Sequence, residues 1–563
     1  MATKKVVKKK SFGSRGGFGG GSSRGREQSP LRPKHVPKLA PCGAHCPSGN
    51  KVRSFVTAIA QAELLGKTPE QAYEDAWHIY TETSPFPAVC GRVCPHPCED
   101  NCNRKELDGA VGINKIERAI GDFGIEKKLK IKVLDEEKKP QKVAIVGAGP
   151  AGISCACQLA RRGYGVTIFE AMEKPGGMLL WGIPGYRLPE GVLEKEIQKV
   201  LDLGVELKCG VKVGKDLSID DLRQRFDAVF VAIGAQQGML LGVEGEDARN
   251  VFTGVDFLNR FHHGEQLDLG DKVAVVVVGG GDTAIDAARI CKRLGCDVTI
   301  LYRRTIAEMP AIALEIKEAL EEGIKIEFLA APIGFDRDGD RVTAMKCIRM
   351  ELGEPDSSGR RRPVPIEGSD FKIEVSAVIS AISQEPDFTG FEALREGRDW
   401  VKVDEYGATK VDGVWAGGDV VNLDLVTTAI GHGRRAAESI IAKFTGQPIV
   451  KDDLPPIPAS RIRMDHYERQ ERIEANSLGV EERLGLVDAE VHKTLRGEAV
   501  LIESKRCFSC GQCFYCEKCW LFCQDSAIEK APAKGELYKF KLENCTGCKK
   551  CSEECPCGFI EMF

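Results

Sequence analysis

Twenty-three cysteines in 563 residues constrain this chain more than any other feature, because they are bunched. Eleven fall between Cys507 and Cys557, and six between Cys42 and Cys102. Such density means either a disulfide scaffold or metal. Disulfide-dense scaffolds are small secreted domains, whereas a chain this long predicts roughly three to five domains. Its basic start, MATKKVVKKK, is not followed by the apolar run of a secretory leader. No stretch nears 18 consecutive apolar residues, so no spanning helix is expected and a cytoplasmic location is. A net charge of −4 argues against a nucleic-acid footprint over the whole chain. Metal is the reading that remains.

The C-terminal cysteines form two runs, Cys513-x2-Cys516-x2-Cys519-x3-Cys523 and Cys545-x2-Cys548-x2-Cys551-x3-Cys555-Pro556. In the bacterial ferredoxin run, C-x2-C-x2-C-x3-C-P, the fourth cysteine ligates the other cluster. The expected sets are therefore Cys513, Cys516, Cys519 and Cys555 for one [4Fe-4S] cluster, and Cys545, Cys548, Cys551 and Cys523 for the second. Gln524 stands where proline is usual. Cys507, Cys510 and Cys557 are surplus, and the first two extend the three-residue spacing, so the frame of the first run is open by one or two cysteines.

Two segments read strand, glycine turn, helix, strand. After VAIV comes Gly147-Ala148-Gly149-Pro150-Ala151-Gly152. Gly147 permits the tight turn, Gly149 lets a pyrophosphate approach, and Gly152 lets the helix pack on the strand. Glu170 ends the next strand, where an acid bonds ribose hydroxyls. After AVVVV comes Gly279-Gly280-Gly281-Asp282-Thr283-Ala284, with alanine at the last glycine position. There the following strand ends in Tyr302-Arg303-Arg304 with no acid, and guanidinium groups suit a 2′-phosphate. The lean is toward NADP(H), with NAD(H) and solvated arginines as the alternatives. Cys155, Cys157, Cys209 and Cys347 make no C-x-x-C or C-x4-C dithiol, and the C-x4-C pair Cys291 and Cys296 follows the second glycine loop rather than the first, so disulfide reduction is not expected and all six read as core.

VAIVGAGPAG, PGGMLLWGIPGYRLP, VGGGDTAID, YRR and WAGGD, in that order over about residues 41–445, resemble the small subunit of glutamate synthase and its relatives, flavoproteins with two dinucleotide-binding domains. The resemblance implies FAD at the first site, involving Gly177, Met178, Gly418 and Asp419 (the last near the ribityl–phosphate) as well as Glu170. It implies NAD(P)H at the second, inserted unit. His432 is read as packing. The N-terminal cysteines, Cys42-x3-Cys46-Pro47 and Cys90-x3-Cys94-Pro95-His96-Pro97-Cys98-x3-Cys102, resemble the same family's helical iron–sulfur domain. That likeness implies Cys46, Cys94, Cys98 and Glu117 at the cluster nearer the flavin, with Glu117 as a solvated helix residue the alternative. The family's leading C-x2-C pair is missing upstream of Cys42. Cys42 and Cys102 thus lack two partners, one of which Cys90 could replace, and the N-terminal count is one cluster or two.

The expected fold is α/β: two Rossmann-like dinucleotide-binding domains (FAD, with an inserted NAD(P) domain), an N-terminal helical iron–sulfur domain and a C-terminal 2[4Fe-4S] ferredoxin domain. Expected bounds are 1–40 for a disordered basic Gly/Ser tail and 41–135 for the helical domain. The FAD domain takes 136–265 and 386–445 around an NAD(P) domain at 266–385, with a linker or packing arm at 446–500 and the ferredoxin unit at 501–563. Nicotinamide gives two electrons as hydride and a cluster takes one, so a flavin must stand between them. An NAD(P)H:acceptor oxidoreductase follows, with a protein redox partner and oligomerisation open. CGRVCPHPCEDNCNR, GRRRPVPIEGSDF, KRCFSCGQCFYCEKC and ENCTGCKKCSEECPCGFIEM resemble the L-type iron–sulfur flavoprotein that accompanies dissimilatory sulfite reductase, which implies that partner. Glutamate synthase, a 2-oxoacid oxidoreductase or a hydrogenase are the alternatives.

Overall fold

The computed structural model describes residues 29–270, 274–357, 359–396, 400–451, 454–530 and 533–563. Two five-stranded parallel sheets form its centre. The first runs Val414–Ala416, Ala228–Val231, Lys142–Val146, Gly165–Phe169, Glu206–Lys208. Parallel strands covered on both faces read as unbroken apolar runs, and Val143 to Val146 and Ala228 to Val231 are all buried. Helix Pro150–Ala160 lies against helix Val426–Thr445. They touch because position 433 is glycine: a Cβ there would stand 2.1 Å from the Ala151 carbonyl oxygen.

The second sheet runs Lys325–Phe328, Asp297–Tyr302, Ala274–Val278, Ala377–Ser380, Val251–Thr253. Its edge strand begins at Val251, so this unit starts upstream of the boundary expected at 266. Before its last central strand the chain inserts an antiparallel sheet of Ala330–Asp338, Arg341–Pro355, Arg361–Pro365 and Phe371–Glu374.

The N-terminal unit packs helices Val52–Ala60, Pro69–Thr81, Pro87–Val93 and Ile113–Glu126. Thr68 caps the second of these: its Oγ1 accepts from the Gln71 amide while Gln71 Oε1 accepts from the Thr68 amide, with Pro69 at the first helical position. Gly91 and Gly121 bring the last two helices into backbone contact, since a Cβ at Gly121 would lie 2.2 Å from the Ala88 nitrogen.

Residues 1–28 of the expected tail lie outside the described residues. Residues 29–40 correct the expectation of disorder. Pro33–His35 pairs antiparallel with Ile560–Met562, and the His35 ring sits 4.5 Å from that of Phe540 and 5.1 Å from that of Phe559. A strand whose partner is more than 500 residues away carries no compositional signal. Of the segment expected as a linker or packing arm, residues 454–500 pack. The Val491 amide donates to the Tyr186 carbonyl, Leu495 is buried in the helical unit, and Arg472 pairs with Glu99 at 2.5 Å. Among the described residues no helix is long and apolar enough to cross a membrane.

Candidate functional site

A cleft of about 640 Å³ opens beside the first glycine loop, lined by Gly147, Gly149, Pro150, Ala151 and Glu170, then Gly177, Met178, Gly418 and Asp419. Gly147 has φ +104°, and a Cβ there would meet the Ala232 carbonyl oxygen at 2.3 Å. Gly152 lies beneath the loop, where a Cβ would stand 2.0 Å from the Gly147 oxygen. At Gly149 the nearest atom to an added Cβ is 3.9 Å away, so the loop is open on the side facing the cleft. Glu170, 7% exposed, accepts from the Ala148 amide at 2.6 Å and the Met172 amide at 2.9 Å. Burial raises its carboxyl above the ordinary value while those amides oppose the shift. Burial also lifts Asp419, to about 6.

His432, expected only to pack, does more. Burial lowers its pKa, and the neutral ring accepts the Gly418 amide on Nδ1 at 3.1 Å. It thereby fixes the turn that aims Asp419 at the cleft. A histidine fourteen residues on, in the following helix, gives no local signal of that contact. Thr253, Asp256 and Asn259, contributed from the second unit's edge, line the same cleft, which therefore lies between the two sheets.

The second loop repeats the plan. Gly279 has φ +151°, a Cβ there would lie 2.3 Å from the Ala381 oxygen, and nothing stands within 4 Å of one at Gly281. Asp282 Oδ1 accepts from the Ile312 amide at 2.9 Å, Thr283 packs beside Gly254, and Ala284 is fully buried. The two arginines part company. Arg303 is exposed. Arg304 is 5% exposed, with Nη2 on Asp356 at 2.7 Å and Nε on the Arg361 carbonyl. That corrects the expectation that both arginines face a 2′-phosphate: Arg304 is spent on the inserted antiparallel sheet.

The thiols collect in four groups. In the first, Glu117 (7% exposed) faces Cys46, Cys94 and Cys98, which its charge pushes further above their usual range after burial. Burial lifts Glu117 itself to about 8, against the hydrogen bond that the Tyr80 hydroxyl donates to it. It is no solvated helix residue. Cys90 is fully buried beside Glu117 and Cys94. Cys90 therefore does not complete the pair missing beside Cys42 and Cys102, which correct that expectation by facing Cys507 and Cys510 instead. In the third group, Cys513, Cys516 and Cys519 gather with Cys555, and the surplus Cys557 lies 3.8 Å from Cys555. In the fourth, burial pushes Cys551 up to about 12, with Cys545, Cys548 and Cys523 adding to the rise.

All 23 cysteines are free thiols. Tetrahedral zinc, about 2.3 Å from each sulfur, draws thiolates to about 3.8 Å of one another. Among the described residues no three thiols come within 4.8 Å, the one such His/Cys/Asp/Glu trio being Glu315, Glu318 and His492. That trio is committed to Arg187, Arg289 and Arg483. Groups of three or four thiols, spaced more widely than one zinc ion allows, fit a multi-iron cube. The first group also abuts the cleft. Cys94 Sγ lies 3.8 Å from Thr427 Oγ1, and Val426 and Ala429 on the same helix line the cleft wall.

Residues 141–433 match the pyridine nucleotide-disulphide oxidoreductase family, and residues 37–129 match dihydropyrimidine dehydrogenase domain II, 4Fe-4S cluster. The chain is 39% identical over 434 residues to the NADPH-Fe(3+) oxidoreductase subunit beta of Geobacter sulfurreducens, covering 71% of this chain and 63% of that protein. It is 39% identical over 446 residues to the NADP(+)-dependent formate dehydrogenase subunit beta of Moorella thermoacetica, covering 74% and 62%. Against the glutamate synthase [NADPH] small chain of Escherichia coli it is 35% identical over 426 residues, covering 71% and 88%. The chain thus spans less than two thirds of the first two relatives and most of the third. It belongs to the pyridine nucleotide-disulphide oxidoreductase family, in the branch of iron–sulfur flavoproteins like the glutamate synthase small chain.

Proposed function

We propose that this chain is an NAD(P)H:acceptor oxidoreductase that moves electrons between a nicotinamide, FAD, [4Fe-4S] clusters and a protein partner. The observation that carries the reading is the 3.8 Å approach of Cys94 to Thr427 on the helix that walls the cleft. When bound, the nicotinamide and flavin would exchange a hydride and the clusters would carry electrons singly. Gly147 and Gly149, followed by Pro150 and Ala151, present the helix N-terminus to the FAD pyrophosphate, and Gly152 holds that helix down. Glu170 receives the ribose hydroxyls, Gly177 and Met178 flank the cleft, and Gly418 and Asp419 meet the ribityl–phosphate end. Gly279, Gly281, Asp282, Thr283 and Ala284 do the same work for the nicotinamide coenzyme, with Arg303 toward a 2′-phosphate.

Cys46, Cys94, Cys98 and Glu117 hold the cluster next to the cleft. Cys513, Cys516, Cys519 and Cys555 hold one C-terminal cluster, and Cys523, Cys545, Cys548 and Cys551 the other. The chain then divides into a helical iron–sulfur unit, two dinucleotide units and a ferredoxin unit. The free thiols support a reducing, cytoplasmic setting. Dissimilatory sulfite reductase is the proposed partner. The resemblance of both cysteine regions and of GRRRPVPIEGSDF, whose RRPVP forms the exposed strand Arg361–Pro365, supports it.

Anaerobic titration with NADPH and NADH tests the core of this reading: the flavin absorbance should bleach, and an intact flavin band would reject it. Turnover of purified sulfite reductase in either direction tests the partner. The 88% coverage of the glutamate synthase small chain favours a second reading, which activity with 2-oxoglutarate, glutamine and a large subunit would select.

A further inference from the structure

We infer that Cys507 and Cys510 complete, with Cys42 and Cys102, a further four-thiolate [4Fe-4S] site at the joint between the N-terminal helical unit and the C-terminal ferredoxin unit. The inference rests on the iron–sulfur reading above and adds a site to it. All four residues line one cavity, walled by Val52, Val56, Val111, Ile113 and Phe508. Two donors come from each end of the chain, some 400 residues apart, and no spacing rule could have joined them.

The local geometry at Cys507 matches that of the other proposed ligands. The Ser509 amide donates to Cys507 Sγ at 3.4 Å, as His96 does to Cys94, Tyr515 to Cys513 and Gly547 to Cys545, each at 3.4 Å. In all four the donor residue is left-handed, with φ of 52° at Ser509, 57° at His96, 60° at Tyr515 and 73° at Gly547. Three of these are not glycine. A left-handed non-glycine residue is strained, so the turn persists where it aims an amide at sulfur. Cys510 Sγ accepts from Asn103 Nδ2 at 3.6 Å.

The charge balance agrees. A buried group of thiolates needs compensating donors and cations. Arg53 reaches the Cys510 carbonyl at 2.5 Å, and Arg104 reaches the Arg506 carbonyl at 2.6 Å, with both arginines on the cavity wall. Packing therefore supplies from the C-terminal side what the missing C-x2-C pair upstream of Cys42 would have supplied. It also settles the frame of the first ferredoxin run: Cys507 and Cys510 are taken, and the run starts at Cys513. The ligands belong to both units, so loading this site holds the ferredoxin unit against the helical one and places a cluster between them.

The test is iron and acid-labile sulfide per FAD in the anaerobically purified full chain, with Mössbauer spectroscopy to count clusters. The expected count is about sixteen irons. Cys507→Ala and Cys510→Ala should each fall to about twelve irons while FAD stays at one per chain, and Cys296→Ala, outside the four groups, should keep all sixteen. About twelve irons in the unsubstituted protein, or an undiminished count in both variants, overturns the inference. The unsubstituted count decides even where a variant fails to fold. A preparation with no iron at all would instead overturn the proposed function.

Discussion

The two dinucleotide units share one plan and differ in how each is fastened. Both have a left-handed first glycine pressed against a neighbouring strand's carbonyl, at 2.3 Å from an added Cβ in each, and an open third residue of the loop. Among the contacts that fasten the first unit to the helical unit, such as Arg161 on the Thr81 carbonyl and Lys199 on the Gly124 carbonyl, is one buried carboxyl. Glu196, on helix Glu190–Leu201, is fully buried and accepts from the Ala88 and Val89 amides at 2.8 and 3.0 Å. The second is bolted to the first by charge pairs. Arg187, in the loop that precedes that helix, meets Asp286 at 2.7 Å, and the Tyr186 hydroxyl donates to the same carboxyl at 3.1 Å. Arg289 and Arg293 stack over the Tyr186 ring and pair with Glu322. Burial raises both carboxyls, but Arg187 opposes the rise at Asp286, which reaches about 6, while Glu196 is lifted to about 8. The two joints should therefore answer differently to pH and to substitution.

The largest effect is expected at the shared element. Gly147→Val forces a β-branched residue into φ +104° against the Ala232 oxygen. It should cost about 4 kcal/mol and release the flavin, read by thermal unfolding and FAD content. Next, Asp286→Ala leaves Arg187 with Glu315 alone and should cost about 3 kcal/mol. Chemical denaturation would measure it, and a loss under 1 kcal/mol would dissolve the contrast between the joints.

The joint at Glu196 carries a pH signature. Burial lifts Glu196 to about 8 from 4.5. Between those values the folded chain holds a proton that the unfolded chain has lost, so stability should fall as pH rises through this window. Glu196→Gln should flatten that slope in a series of melts, and an unchanged slope would place the titration elsewhere. The smallest effect concerns the coenzyme. Arg303→Ala should raise KM for NADPH about tenfold and leave NADH nearly unchanged. Arg304→Ala, which breaks the Asp356 pair, should lower the melting temperature without altering that ratio.

Glycine loops and the ferredoxin spacing were readable because their chemistry is local. A turn needs φ > 0 at one position, and three thiols at three-residue intervals reach one cube without help from elsewhere. The strand–loop–helix order carried the fold class for the same reason. Other features depended on partners far away in the chain. Arg304 looked like a coenzyme ligand until Asp356 came alongside. Residues 33–35 looked like tail until Ile560–Met562 paired with them, and His432 looked like packing until Gly418 met its ring. Cys42 and Cys102 looked incomplete because half of their set arrives from the opposite terminus.

From the order of residues alone came the cofactor classes, the two nucleotide loops and the two ferredoxin runs, the first with its frame still open, each specified within a few dozen residues. Packing alone decided which thiols share a cavity, which arginine is exposed and what clamps each joint. Those choices turn on burial and on contacts between segments hundreds of residues apart, and neither is set until the chain has closed on itself.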